Sequence, residues 1–119
     1  MARCTVTRMD GAECVVVLVT VSSRDEGQRI ASAVVGDQLA ACVNIVGPIE
    51  SIYRWDNQVQ HEQELLLVIK TRAALVADLE ARVQALHSYQ TPEVIALPIS
   101  AGAQAYLDWL RGATRPPKG

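Results

Sequence analysis

The side chains best able to do chemistry in this sequence are one histidine and one cysteine. His87 follows a segment with helical periodicity, and Cys42 begins a β-rich segment next to two alanines. An imidazole titrates near neutrality and binds transition metals, and a thiol binds soft metals, oxidises or acts as a nucleophile. Either residue can instead be structural, His87 as a helix C-terminal cap and Cys42 as a small buried apolar residue. Because a copper or zinc site needs three or four ligands, any metal here has to recruit His61, carboxylates or a neighbouring subunit.

Carboxylates form a second group of candidates. Glu62 and Glu64 lie two apart in a predicted strand and therefore share a face, where they could act as acid and base or hold a cation. The alternative is a solvated strand face that balances Arg54 across a hairpin, and we favour it for Glu62. Glu64 and Glu93 precede apolar stretches, and we expect them in a ligand cleft at a subunit interface together with Tyr53, Tyr89 and Lys70.

Composition and charge exclude several classes of protein. The 119 residues, half of them apolar and a fifth charged, suffice for one globular domain. A net charge of −2 lacks the basic excess of a nucleic-acid binder. The longest apolar runs, 65–69 and 94–99, are far shorter than the ~20 residues of a membrane span. Residues 1–13 lack the apolar stretch of a secretory signal. We therefore expect a cytoplasmic protein without nucleic-acid or membrane partners.

Several catalytic and redox motifs are absent from the sequence. The three cysteines are odd in number and lack C-x-x-C spacing, which argues against a disulfide framework and a self-contained zinc site. Phosphate-binding and zinc-protease motifs are also missing. An enzyme using Cys42 and His87 as nucleophile and base is the remaining catalytic hypothesis, but no third orienting residue can be named for it. A binding protein is the better prediction.

Periodicity predicts an α+β domain flanked by two flexible segments, a leader over 1–13 and a tail over 112–119. Strands are expected over 14–21, 42–55, 58–71 and 93–99, with helices over 24–41 and 73–86 and a short C-terminal helix over 104–110. Ser23 and Glu26 have the spacing of a capping box. Two right-handed β-α-β units in the order βαββαβ predict a ferredoxin-like sandwich over 14–111, with both helices on one side of the sheet.

The central hairpin is too long for one copy of the chain to cover. Each strand of about 14 residues would reach ~45 Å, whereas a compact chain of this length is ~35 Å across. The overhang would expose Ile49, Ile52, Tyr53 and Trp55, so we expect other copies to cover it in a cyclic homo-oligomer. Trp55 and Trp109 are the expected anchors of that interface. A bend at Gly47-Pro48 that folds the excess strand back is the alternative.

Five motifs in order resemble the CutA family of divalent-cation-tolerance proteins over residues 15–111. They are 39–45 (LAACVNI), 51–55 (SIYRW), Glu62-x-Glu64 leading to Lys70-Thr71, His87-x-Tyr89-x-x-Pro92-Glu93, and 106–110 with YL-x-WL. The resemblance implies a ferredoxin-like homotrimer with a PII-like architecture. It also implies binding of copper or another divalent cation and a role in the response to metal ions, without an established enzymatic activity.

The metal ligands assigned in some members of that family are only partly present. They are a cysteine late in the first strand and two adjacent histidines, and here Val19 and Leu86 stand at two of these positions. His87 is retained, and Cys42 is a further candidate ligand. The resemblance therefore predicts a trimeric, copper-type divalent-cation-binding protein. The alternative is a PII-like signalling or scaffold trimer that binds a protein or small molecule, with metal binding incidental.

Overall fold

The computed structural model describes residues 6–8 and 13–116 of the chain. The strands are β1 (Val6–Arg8), β2 (Cys14–Val21), β3 (Cys42–Trp55), β4 (Gln58–Arg72), β5 (Ile95–Pro98) and β6 (Ala101–Ala103). The helices are α1 (Arg24–Gly36), α2 (Val76–Leu86), which follows a 3-10 turn at Ala73–Leu75, and α3 (Gln104–Gly112). No helix among these residues is long and apolar enough to cross a membrane.

Four of the strands form one antiparallel sheet in the order β3-β4-β2-β5. With α1 between β2 and β3, and α2 between β4 and β5, this is the ferredoxin-like βαββαβ fold that the sequence predicts. From Val15 onward the buried residues of β2 alternate, with Val15, Val17, Val19 and Val21 all facing α1 and α2. Because successive strand residues point to opposite faces, this alternation places the main core between the sheet and the helices α1 and α2.

The other side of the sheet carries apolar side chains that neither α1 nor α2 covers. We call it the open face, and its residues are Val16, Leu18, Val46, Leu66, Val68, Ile95 and Leu97, as the strand registers require. Val46, Ile95 and Leu97 are between 45% and 49% exposed. The helix α3 packs at one end of the sheet, where Leu107 and Leu110 bury Cys14 and Ala41.

Helix α1 ends earlier than its apolar spacing predicts. One of the two hydrogen bonds of the predicted capping box is present at its start: the Ser23 hydroxyl accepts from the Glu26 amide at 3.2 Å. The predicted continuation to residue 41 is wrong, because the helix stops at Gly36 and Gln38 adopts a φ of 59°. The Leu39 amide then donates back to the Val34 carbonyl, and Leu39 joins the core by this route and not through a further helical turn.

The two ends of the chain differ in part from the sequence-based expectation. Of the predicted leader, only β1 and Glu13 are described, and β1 pairs with β6, a strand that no pattern indicated. The fourth predicted strand, 93–99, is shorter and covers Ile95–Pro98. Of the predicted tail, Gly112 ends α3, and the buried Thr114 accepts a hydrogen bond from Arg72 Nε at 2.9 Å. Residues 117–119 lie outside the described part.

The hairpin β3–β4 is continuous and projects from the domain. With the hairpin included, the longest dimension of the structure is 50 Å. Asp56 and Asn57 form its turn with φ values of 50° and 61°, as their residue types predict. Gly47 produces a bulge: Val46 pairs with Leu66, but Ile49 pairs with Glu64, so β3 gains one residue on β4. The strand bends there without folding back, and Ile52 and Trp55 remain 59% and 55% exposed.

Candidate functional site

A groove beside the distal half of the hairpin contains most of the predicted cleft residues. It has a volume of about 970 Å³. Of the predicted residues, it is lined by Tyr53, Trp55, Glu62, Glu64, Tyr89 and Glu93, to which the structure adds Glu50. Four of the thirteen described lining residues are glutamates, and none of the thirteen is Lys, Arg or His. The groove is therefore an acidic surface with aromatic walls.

The bulge at Gly47 determines which side chains face this groove. On β4, Glu62 and Glu64 share a face because they lie two apart. Their partners on β3 are Ser51 and Ile49, so the same face continues through Tyr53 and Trp55. Without the extra residue on β3, the pairing would shift by one and these two aromatic rings would face the opposite side. The groove is thus continuous with the open face of the sheet.

Glu64 is the most enclosed carboxylate of the groove. Its side chain is only 6% exposed although it lies in the projecting hairpin. The Tyr89 hydroxyl donates a hydrogen bond of 2.8 Å to Glu64 Oε2. Burial and this contact with a carboxylate both raise the pKa of Tyr89 well above its ordinary value. At the mouth of the groove, a hydrogen bond to Glu62 raises the pKa of Tyr53 in the same way. Both phenols are therefore neutral and face the side chains of Glu62 and Glu64.

His87 lies behind the groove and does not line it. Its Nε2 is 2.7 Å from the Thr20 carbonyl, and its Nδ1 accepts a hydrogen bond of 3.0 Å from the Tyr89 amide. Its ring packs against the Tyr89 ring with centroids 4.6 Å apart. Both ring nitrogens are thus engaged by the protein. His87 lies at the end of α2, as expected from the sequence, and is the C-terminal capping residue of that helix.

Glu26 makes the second buried connection to the loop that carries Tyr89, and sequence reasoning recognised only its role at the helix start. It is 4% exposed; Oε2 accepts from the Ser88 amide at 2.7 Å, and Oε1 accepts from the Ser22 amide and hydroxyl at 3.2 Å. Burial alone would raise the pKa of Glu26, but the hydrogen bonds from Ser88 and Ser22 outweigh it and the pKa is lowered.

We expect Glu26→Gln to destabilise the protein at pH 7 by about 1–3 kcal/mol, because an amide nitrogen would face donors that need an acceptor. The lowered pKa of Glu26 stabilises the fold above the unfolded-state value near 4.5, and this contribution is lost as the pH falls through the folded-state value. The difference between wild type and variant should therefore shrink on acidification. Urea unfolding at neutral and acidic pH measures it, with the exposed helix residue Glu80→Gln as control; an equal difference at both pH values would contradict the assignment.

The predicted metal ligand Cys42 and the predicted cleft residue Lys70 lie away from the groove. Cys42 pairs with Lys70 in the hairpin register, six positions along β4 from Glu64 and therefore about 20 Å from it. Lys70 donates a hydrogen bond to Asn44 and its Nζ is 4.0 Å from Cys42 Sγ. Within one chain, Lys70 therefore does not line the groove, and its place in a cleft between subunits stays a prediction. Cys42 and His87 are also not brought together, so the nucleophile–base hypothesis has no geometry to support it.

Within one chain, the described residues form no cluster of three or more His, Cys, Asp or Glu side chains that could hold a metal ion. The second histidine, His61, is exposed and pairs with Ile52 on the hairpin. The two expected interface anchors lie apart: Trp55 lines the groove, whereas Trp109 is 49% exposed on α3, with its ring 5.4 Å from that of Tyr106. The donors that the groove offers are oxygens from carboxylates and phenols.

Comparison with known sequences identifies relatives over most of the chain. The family model described as CutA1 divalent ion tolerance protein matches residues 15–113. The chloroplastic protein CutA of Arabidopsis thaliana is 52% identical over 101 residues, which are 85% of this chain and 56% of that protein. The divalent-cation tolerance protein CutA of Thermus thermophilus is 52% identical over 99 residues, 83% of this chain and 96% of that protein. The chain thus spans little more than half the length of the plant relative.

Solved structures agree with this similarity. The divalent cation tolerance protein (Cut A1) of Thermus thermophilus has a TM-score of 0.84 at 51% identity, covering 86% of this chain and 99% of its own. CutA1 from Oryza sativa has a TM-score of 0.85 at 49% identity, covering 87% and 95%. The groove residues, from Thr20 to Glu93, all lie within the region that the family model matches.

Proposed function

The chain belongs to the CutA1 family of divalent ion tolerance proteins, and from this premise we propose that it is a cytoplasmic homotrimer that binds divalent cations in the acidic groove at the seams between its subunits. It acts by equilibrium binding and release, not by turnover. The observation that carries the proposal is Glu64, a carboxylate that is 6% exposed yet lines an acidic groove.

The open face supports the assembly of several copies. Apolar side chains from two strands, β3 and β5, remain about half exposed there in a single copy, although burial of such surface favours association at roughly 25 cal/mol per Å². The hairpin also leaves one edge of β3 unpaired, since β3 is the outermost strand of the sheet. A second and third copy would cover both features. Since the groove continues the open face, subunit contacts would also complete the groove.

The donor set favours cations that prefer oxygen ligands. Three glutamates (Glu62, Glu64 and Glu93) and two tyrosines offer oxygen atoms to the groove, whereas Glu50 pairs with Gln63 and faces the other side of the hairpin. Carboxylates are the ligands of Mg²⁺, Ca²⁺ and Mn²⁺ more than of Cu²⁺. Copper, which the family resemblance led us to expect, would need nitrogen or sulfur donors that the described lining residues do not supply. The residues assigned to the cation are Glu64, Glu62 and Glu93; because they do not form a metal-binding cluster within one chain, a neighbouring copy would have to bring further ligands to the groove. His87 and Cys42, the metal ligands expected from sequence, are not assigned to it.

Calorimetric titration with Mn²⁺, Zn²⁺ and Cu²⁺ tests this proposal. We expect Glu64→Gln to weaken cation binding by about tenfold or more, because it removes one anionic ligand from the site. Glu80→Gln removes an equal charge from the exposed face of α2 and should bind as the wild type does. Equal affinities of the wild type and Glu64→Gln for all three ions would overturn the proposal.

A second candidate function rests on α3. Tyr106 and Trp109 form a tilted aromatic pair, and the two residues are 43% and 49% exposed, which suits a contact with a partner protein in a PII-like signalling or scaffold trimer. In this case cation binding is incidental. Capture of one defined partner that persists in a chelator and is lost in Trp109→Ala would favour this function, whereas capture unaffected by Trp109→Ala would count against it.

A further inference from the structure

From the contacts of its ring, we infer that His87 is a positioning residue and not a metal ligand: it holds Tyr89 against Glu64 by joining the Tyr89 amide to the end of β2. The part of this inference that concerns cation affinity rests on the proposed function. The part that concerns the Tyr89 loop stands independently of it.

The hydrogen bonds to His87 determine its tautomer. An imidazole nitrogen that accepts a hydrogen bond from an amide carries no proton, and Nδ1 accepts from the Tyr89 amide at 3.0 Å. The ring proton of the neutral form is therefore on Nε2, which donates to the Thr20 carbonyl at 2.7 Å. The lone pair of Nδ1 is occupied and Nε2 carries a proton. A metal ion could bind His87 only by breaking one of these two bonds.

The loop after α2 depends on side chains for its order. Ser88 donates its amide to Glu26 Oε2, and Tyr89 donates its amide to His87 Nδ1. Two successive amides are thus bonded to side chains, one from the start of α1 and one from the end of α2. The next residue, Gln90, has its carbonyl bonded by the Gln84 side chain at 2.8 Å. Side chains therefore fix the loop on both sides of Tyr89.

This arrangement connects the end of β2 with the floor of the groove. Thr20 contacts His87, His87 fixes Tyr89, and the Tyr89 hydroxyl holds one oxygen of Glu64 at 2.8 Å. Holding that oxygen restricts the orientation of the whole Glu64 carboxylate, and hence the direction from which a ligand can meet it. Residues that orient a ligating carboxylate in this way commonly change metal affinity by about 10- to 100-fold when they are replaced.

Two conservative substitutions separate positioning from ligation. In His87→Asn, the side-chain oxygen can accept from the amide two residues on, as in an Asx turn, so the Tyr89 contact is retained. In His87→Gln, the longer amide can reach the Thr20 carbonyl but does not provide the acceptor for Tyr89. His87→Ala removes both contacts. Neither Asn nor Gln replaces an imidazole as a transition-metal ligand.

Amide hydrogen exchange at Tyr89 is the direct measurement. We expect slow exchange in the wild type and in His87→Asn, and exchange about tenfold faster in His87→Gln and His87→Ala, since the hydrogen bond is lost. ¹⁵N spectra of the ring should show a proton on Nε2. His61→Asn, at the exposed histidine, should leave Tyr89 exchange unchanged.

Cation titration of the same variants completes the test. Affinity close to wild type in His87→Asn, with a loss of about tenfold or more in His87→Gln, supports the positioning role. An equal loss in Asn and Gln variants with the Tyr89 amide still protected would overturn it and make His87 a ligand. Unprotected exchange at Tyr89 in the wild type would also overturn it. If neither wild type nor Glu64→Gln binds cations, the proposed function fails, and hydrogen exchange still decides the role of His87.

Discussion

Leu97→Asp is expected to convert the proposed trimer into a 12.9 kDa monomer. Leu97 is 47% exposed in one copy, so an aspartate there is tolerated by the isolated fold. In a trimer the same carboxylate would be buried in an apolar contact without a cation, which costs several kcal/mol for each subunit. Light scattering coupled to size-exclusion chromatography measures the mass directly.

The control for this substitution is Val35→Asp on α1. Val35 is 40% exposed and lies on α1, outside the open face. The variant therefore replaces an apolar side chain of similar exposure without changing the open face. We expect this variant to remain trimeric. The melting temperature of the wild type should also rise with protein concentration, whereas the melting temperature of Leu97→Asp should not. An unchanged mass for Leu97→Asp would remove the open face from the interface.

Gly47→Val should destabilise the protein by about 2–4 kcal/mol and abolish the groove, because Gly47 adopts a φ of 149° that side-chain-bearing residues rarely occupy. A Cβ atom there would lie 3.2 Å from the Ile49 nitrogen and 3.2 Å from the Leu65 Cα, both of which belong to the backbone. Relief requires loss of the bulge and hence a change of face for Tyr53 and Trp55. Denaturant unfolding and cation titration report the two effects.

Gly36→Ala provides a matched glycine substitution for comparison. A Cβ atom at Gly36 meets nothing within 4 Å, and the residue ends α1. Alanine favours the helix more than glycine does. This variant should therefore be at least as stable as the wild type, with a gain in the free energy of unfolding of up to about 1 kcal/mol. Equal stabilities of Gly47→Val and Gly36→Ala would show that the bulge does not constrain the hairpin.

The sequence was sufficient to predict the strands and helices that make the core, because their burial follows simple periods. The run from Cys14 to Val21 and the strand over 58–71, which ends in the apolar run 65–69, are both strands in the structure. The end of α1 was missed because Leu39 continues the helical apolar spacing, although its amide returns to Val34. Strand β1 was missed because three residues carry no period of their own.

The sequence could predict the candidate site only to the extent that a residue's strand, and the face of that strand, decide where its side chain lies. Glu64 and Tyr53 were expected to share a cleft, and both line the groove. Lys70 was expected in the same cleft between subunits, and within one chain it lies six positions along β4 from Glu64 and does not line the groove. Glu26 shows a second limit: residue type predicted a carboxylate that binds amides, but the Ser88 amide is a tertiary partner 62 positions away.

The two tryptophans of this phenylalanine-free chain are its strongest fluorophores, and neither lies in the core. One is on the hairpin and the other on α3, each about half exposed in a single copy. Emission excited at the indole absorption band would therefore respond to events at the surface before it responds to melting of the aliphatic interior. A spectral change on dilution, with circular dichroism constant, would measure dissociation without any attached dye.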